Sequence, residues 1–129
     1  MAYGEAMLEF SVNMANRPGQ LATLARELTT AGVNIKALAA MTDGPDGYIK
    51  LVVNDESSTR SVLRDVGVRF EERRIINAIV HDSPGALDDM AEALANTGVN
   101  IEAMYLLARM PRASILQWRS TTPHLPNND

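Results

Sequence analysis

Residues 18–37 read PGQLATLARELTTAGVNIKA, and sixty-six positions later residues 84–103 read PGALDDMAEALANTGVNIEA. No other feature constrains the fold so tightly. Ten of the twenty aligned positions are identical: Pro18/Pro84, Gly19/Gly85, Leu21/Leu87, Ala25/Ala91, Leu28/Leu94, Gly32/Gly98, Val33/Val99, Asn34/Asn100, Ile35/Ile101 and Ala37/Ala103. A gapless register of this length marks a duplicated unit, and it has to be recognised before single elements are assigned. Each copy carries its own folding instructions. Proline fixes φ near the helical value and lacks an N–H, so Pro18 and Pro84 suit the first turn of a helix. Leu21, Leu24, Ala25 and Leu28 then follow the i, i+3, i+4, i+7 spacing of one apolar helix stripe, as do Leu87, Met90, Ala91 and Leu94. Gly32 and Gly98 stand where a helix ends on a left-handed residue. Val33 and Ile35 open a β-branched run. Each copy therefore reads loop, helix, tight stop, strand.

The rest of the chain extends this unit. Residues 5–14 alternate, with Leu8, Phe10, Val12 and Met14 on one side and Met7, Glu9, Ser11 and Asn13 on the other, which is a strand with one buried face. Residues 34–41 form a second strand, 42–47 a hairpin turn rich in Asp, Gly and Pro, and 48–54 a third strand. Residues 55–58 can cap a helix over about 59–66, ended by Gly67. Residues 68–80 are long enough to be the last strand of one copy and the first of the next. The order of copy one is βαββαβ, with both helices on one face of an antiparallel sheet, the ferredoxin-like arrangement of an α+β fold. Copy two begins in the same way and ends after βαββ.

Composition narrows the function. The chain is 129 residues long and 46% apolar, and a copy of about sixty residues would be marginal alone. The net charge is −4, spread evenly over the two halves, with no basic stripe for nucleic acid. An RNA-binding sheet of this strand order stacks bases on paired aromatics, and no basic, aromatic strand is present. The absence of cysteine excludes disulfides and thiolate chemistry. No apolar run approaches the ~18 residues of a membrane span, and the N-terminus lacks a basic region before an apolar core. A cytoplasmic protein is expected. No Ser, Cys or His has a nucleophile setting and no phosphate loop appears, so no catalytic residue is expected. His81 and His124 lack clustered partners, so no metal site is expected either. No cofactor is implied.

With this element order, NRPGQL…GVNIKAL at 16–38 and DSPGAL…GVNIEAM at 82–104 resemble the ACT domain family, as does GYIKLVVNDESSTRSVL at 47–63. The resemblance covers about residues 5–110. It implies two ferredoxin-like βαββαβ repeats, at 5–72 and 73–119, the second incomplete, with a disordered tail at 120–129. It also implies a non-catalytic regulatory protein that binds a small amino acid, assembled as a homodimer or larger, with an amino-acid-metabolism enzyme as a candidate partner. The alternative is an assembly module that regulates a partner by sheet pairing, without a ligand of its own. In the family, effectors bind at a seam between the first loop of one domain and the facing edge of its partner.

The residues carried over to that seam are Asn16, Arg17, Pro18, Gly19, Gln20, Asn34 and Ile35 in copy one. In copy two they are Asp82, Ser83, Pro84, Gly85, Ala86, Asn100 and Ile101. A helix N-terminus offers free N–H groups to a carboxylate, and a glycine there lets a ligand approach the backbone. Each has a plainer structural reading. Pro-Gly can simply start a helix, Asp82 and Ser83 can be ordinary caps, Asn34 and Asn100 can fix a corner, and Arg17 can be solvated. Arg73 and Arg74 beside Glu71 and Glu72 read as a solvated strand surface.

The C-terminus departs from the pattern. At the sixty-six offset, Leu51-Val52-Val53-Asn54-Asp55 faces Gln117-Trp118-Arg119-Ser120-Thr121. The codons GCA GTG GCG GTC GAC GAC CCC, which encode an apolar strand followed by Asp-Asp-Pro, give the peptide of residues 117–123 when read one base later. A frameshift shortly before Gln117 is therefore one expectation and a truncated but genuine C-terminus the other, and the nucleotide sequence decides between them. It predicts a less stable second copy whose sheet lacks a covering helix.

Overall fold

Alternating side chains in the opening strand set the first layer. The computed structural model describes the backbone of residues 2–109 and 113–120 and the side chains of residues 6–105. The order is β1 (Ala2–Ala15), α1 (Gln20–Thr30), β2 (Ile35–Asp43), β3 (Asp46–Val53), α2 (Glu56–Val66), β4 (Arg69–His81), α3 (Ala86–Asn96), β5 (Ile101–Arg109) and β6 (Ala113–Ser120). Two compact units divide these elements. One is Leu8–Arg73; the other joins Met1–Met7 to the chain from Arg74 onward.

The Leu8–Arg73 unit is βαββαβ with strand order β2-β3-β1-β4. β1 pairs antiparallel with β3, Phe10 opposite Leu51 and Asn13 opposite Tyr48. β2 pairs antiparallel with β3 through a two-residue loop, because Asp43 faces Asp46 directly. Phe10, Val12 and Met14 from β1, with Ile49, Leu51 and Val53 from β3, close on Leu24 and Leu28 of α1, Val33 and Leu63 of α2. Burying a leucine such as Leu24 or Leu28 contributes about 1.5–3 kcal/mol. Both helices therefore lie on one sheet face. The opposite face is not uniformly solvated, since Glu9 is fully buried and held by interactions.

In the other unit the strand order is β4-β6-β5, with β1, whose opening residues belong to this unit, beside β4. Its core is Ile76, Ala78, Val80, Met90, Leu94 and Val99. Every one of these six stands sixty-six positions after a core residue of the first unit: Phe10, Val12, Met14, Leu24, Leu28 and Val33. The sequence repeat is thus a repeat of core positions. The fourth strand expected to be missing from copy two has its place filled from the chain's own N-terminus. The second helix has no counterpart among the described residues.

Several expectations need correction. Pro18 and Pro84 precede the helices, which start at Gln20 and Ala86. α2 begins three residues early, at Glu56, because Asp55 caps it by accepting from the Ser58 N–H at 3.0 Å. The hairpin loop is shorter than the turn cluster suggested. Ser120 closes β6, which pairs with both β4 and β5; the rest of the expected tail, 121–129, lies outside the described residues. Leu21 and Leu87, read as core stripe, are exposed. Glu72 is not merely solvated: Arg60 of α2 holds it with paired hydrogen bonds of 2.7 and 2.6 Å. The helix stops are as expected, with Gly32 and Gly98 at φ 77° and 79°.

Candidate ligand site

The Pro-Gly pair builds a turn, and the turn aims the helix. Gln20 N–H donates to the Arg17 carbonyl at 3.3 Å, and Gly19, between them, has φ 85° and ψ −8°. Proline at the second position and a left-handed glycine at the third define a type II turn. The other copy repeats it: Ala86 N–H donates to Ser83 O at 3.2 Å, and Gly85 has φ 87° and ψ −9°. Neither helix start carries a side-chain cap, so the first-turn N–H groups lack the usual side-chain acceptor.

Asn16 fixes the first loop. Its backbone N–H donates to Pro45 O and its Nδ2 to Gly44 O, both at 2.9 Å, tying the loop to the β2–β3 hairpin. Between them lies an open depression of about 320 Å³. Asn16, Arg17, Gln20 and Leu21 form one wall; Ala40, Met41 and Thr42 of β2 form another; Met14, Gly47, Tyr48 and Ile49 complete it. The register explains the floor, since Gly47 faces both Met14 and Thr42. A Cβ at Gly47 would come within 3.3 Å of Met14 O, so the strands approach closely there.

Of the residues carried over by resemblance, Asn16, Arg17 and Gln20 line this depression, and Pro18 and Gly19 shape the turn beside it. Asn34 and Ile35 do not join them within the unit. They follow the other end of α1, whose 11 residues span roughly 16 Å at 1.5 Å each. There the Asn34 N–H donates to Asn54 Oδ1 at 2.8 Å and the Asn54 N–H to Asn34 O at 3.1 Å, while Ile35 packs on the core. In copy two, Asp82 is half-buried and engaged, Ser83 and Ala86 carry the turn with Pro84 and Gly85, Asn100 is exposed and Ile101 packs on its unit's core. Residues that the sequence reading missed are Met14, Met41, Thr42 and Tyr48. Only strand register, which a single sequence does not reveal, places them beside the loop.

A larger open depression, about 690 Å³, is lined by Ser11, Asn13, Arg69, Phe70 and Glu71 and shares Tyr48 with the first. The groups with displaced titration lie elsewhere. The Ser58 N–H, and then its hydroxyl, hold Asp55 below the ordinary carboxylate range. The Arg60 side chain does the same for Glu72 and is itself raised, and it stands 6.0 Å over the Phe10 ring. These contacts clasp α2 rather than tune an acid or base in a cleft. Among the described residues no group of three metal-ligating side chains occurs, and no helix is long and apolar enough to cross a membrane.

The βαββαβ order, the type II turn and the glycine stop all fall within one stretch. Residues 8–69 match the ACT domain family. No curated protein matches the chain. Among solved structures, a protein from Bacteroides thetaiotaomicron is similar over 91% of this chain and 81% of its own, with 22% identity and a TM-score of 0.82. The ligand-free regulatory subunit of aspartate kinase from Thermus thermophilus is similar over 92% and 85%, with 17% identity and a TM-score of 0.64. Its Thermus flavus counterpart is similar over 92% and 86%, with 18% identity and a TM-score of 0.65. At these identities the likeness is one of fold.

Proposed function

We propose that this chain is a regulatory protein with two ACT repeats, at 5–72 and 73–119, that binds a small amino acid at seams between ACT units and performs no catalysis. The observation that carries this reading is the depression beside the Asn16–Gln20 loop, with the cationic side chain of Arg17, an uncapped helix start and a neighbouring edge strand. Such a set suits a zwitterion, with the carboxylate toward the helix N-terminus and the side chain toward Leu21, Met41 and Tyr48.

A second copy would complete the site. β2 ends the strand order, and Leu38 and Met41 on it are 44% and 58% exposed. Exposed edges favour pairing. An antiparallel pairing of two β2 strands centred on Leu38 would set Asn34 and Ile35 of one copy against Thr42 and Met41 of the other. The two ends of the motif, separated by α1 within a unit, would then meet across the seam. The Thermus regulatory subunits of the same fold support a regulatory role, with an enzyme of amino-acid metabolism as the partner.

A thermal-shift screen against the common L-amino acids tests the reading, because a ligand that binds only the folded state raises the midpoint. One or a few related amino acids should raise it by several degrees. A flat response to all of them would remove the ligand and leave pairing of the β2 edge as the function.

A further inference from the structure

We propose that the depression beside the Asn16–Gln20 loop selects an amino acid with an apolar side chain; this rests on the amino-acid-binding reading above. Strand register decides which side chains share its floor. Ile49 pairs with Val12 and Ala40, and Gly47 with Met14 and Thr42; cross-strand partners share a sheet face. Met14 and Ile49 belong to the core that closes on Leu24 and Leu28 of α1, so Ala40, Thr42 and Gly47 stand on the face that carries α1. Ala40 and Thr42 are nonetheless exposed. The helix leaves the β2 end of this face open, and the residues there are small.

Leu21 stands across from that floor in the same lining. It continues the stripe of Leu24 and Leu28, which are each 1% exposed, yet is itself 42% exposed. An apolar ligand side chain lying against Leu21, Ala40 and Ile49 would take this surface out of water, which is the favourable term. Charge disfavours the alternatives. Of the described residues that line the depression, Arg17 alone is ionised, and the hairpin acids Asp43 and Asp46 do not line it. Arg17 suits the carboxylate common to every amino acid. A basic side chain would then find no acid and an acidic one no second cation, and burying an unpaired charge is costly. The uncharged polar groups Asn16, Gln20 and Thr42 lie at the loop and hairpin ends, where they suit the ligand's ammonium group.

Calorimetry on the full chain, with each common L-amino acid in turn as the probe, tests this. One methylene in an apolar pocket is worth about tenfold or more, so an apolar amino acid should bind by about that margin ahead of every polar or charged one. Ala40→Asp, at an exposed position, should weaken that ligand by a similar factor and narrow its lead over L-lysine while circular dichroism stays unchanged; the ranking in the parent chain decides even where the variant does not fold. Glycine, or a polar or basic amino acid, as the tightest ligand would overturn the proposal alone, as would unchanged affinity and ranking in folded Ala40→Asp. An acidic one as the tightest would also overturn it, by bringing in a cation from the second copy such as Lys36 of β2. Absence of heat with every amino acid would instead reject the amino-acid reading, and this inference with it.

Discussion

Replacing Gly19 with alanine isolates the backbone of the Pro-Gly turn. A Cβ at this position would meet no heavy atom within 4 Å, so no clash is created. The cost comes from φ, which at 85° is a region where an L-residue with a Cβ loses about 1–2 kcal/mol. Alanine also narrows the unfolded ensemble, an effect of about 0.4–1 kcal/mol in the opposite direction where the conformation is compatible. Strain exceeds entropy, and the net loss should be roughly 0.5–1.5 kcal/mol. Gly85→Ala, at φ 87° and equally open, should lose the same. Urea unfolding measures both, and Gly19→Asn should recover part of the loss because asparagine tolerates the left-handed region. An alanine variant as stable as the parent, or more so, would show that the turn is not type II and that the helix start is aimed differently.

Leu28→Ala and Leu94→Ala remove corresponding side chains from the two buried clusters; each should cost about 2–5 kcal/mol in denaturant unfolding. If the clusters are separate, the double variant should be additive within about 0.5 kcal/mol. Asp55 and Glu72 have folded pKa values below their unfolded ones, so their contribution is complete above the ordinary carboxylate range near ~4 and is lost as pH falls through the lowered values. The unfolding midpoint should therefore hold from neutral pH to about pH 5 and drop below about pH 4, with a smaller drop in D55N/E72Q; an equal drop would place the acid sensitivity elsewhere. Leu38→Lys, on the exposed β2 edge, should shift a dimer to monomer in sedimentation without unfolding it; an unchanged mass would show that β2 is not the seam.

The parts of the fold legible in the sequence are those set by local chemistry. Gly32 and Gly98 stop their helices as their type and position required, and Phe10, Val12 and Met14 bury the expected face. The six matched core positions turn the repeat into packing. Local reasoning misplaced Pro18 because proline suits both a helix start and the second position of a turn, and the adjoining Gly19 decides between them. Leu21 fits the helical stripe, yet it lies in the first turn of α1, where it is exposed and lines the depression. Tyr48 and Met41 enter the candidate site only through strand register, and the N-terminal residues complete the second unit only through long-range pairing. Asn34 carries the motif but spends its backbone on a clasp with Asn54, so its part in a site depends on a neighbouring copy.

The most direct test of the proposed seam is an amide-resolved NMR titration of the full chain with the amino acid selected by thermal shift. Binding at a paired β2 edge predicts saturable shifts at Asn16–Gln20 and at Asn34–Ile35 together, although α1 separates them within one unit. Shifts confined to one of these groups, or centred on the Ser11, Arg69 and Glu71 surface, would contradict it.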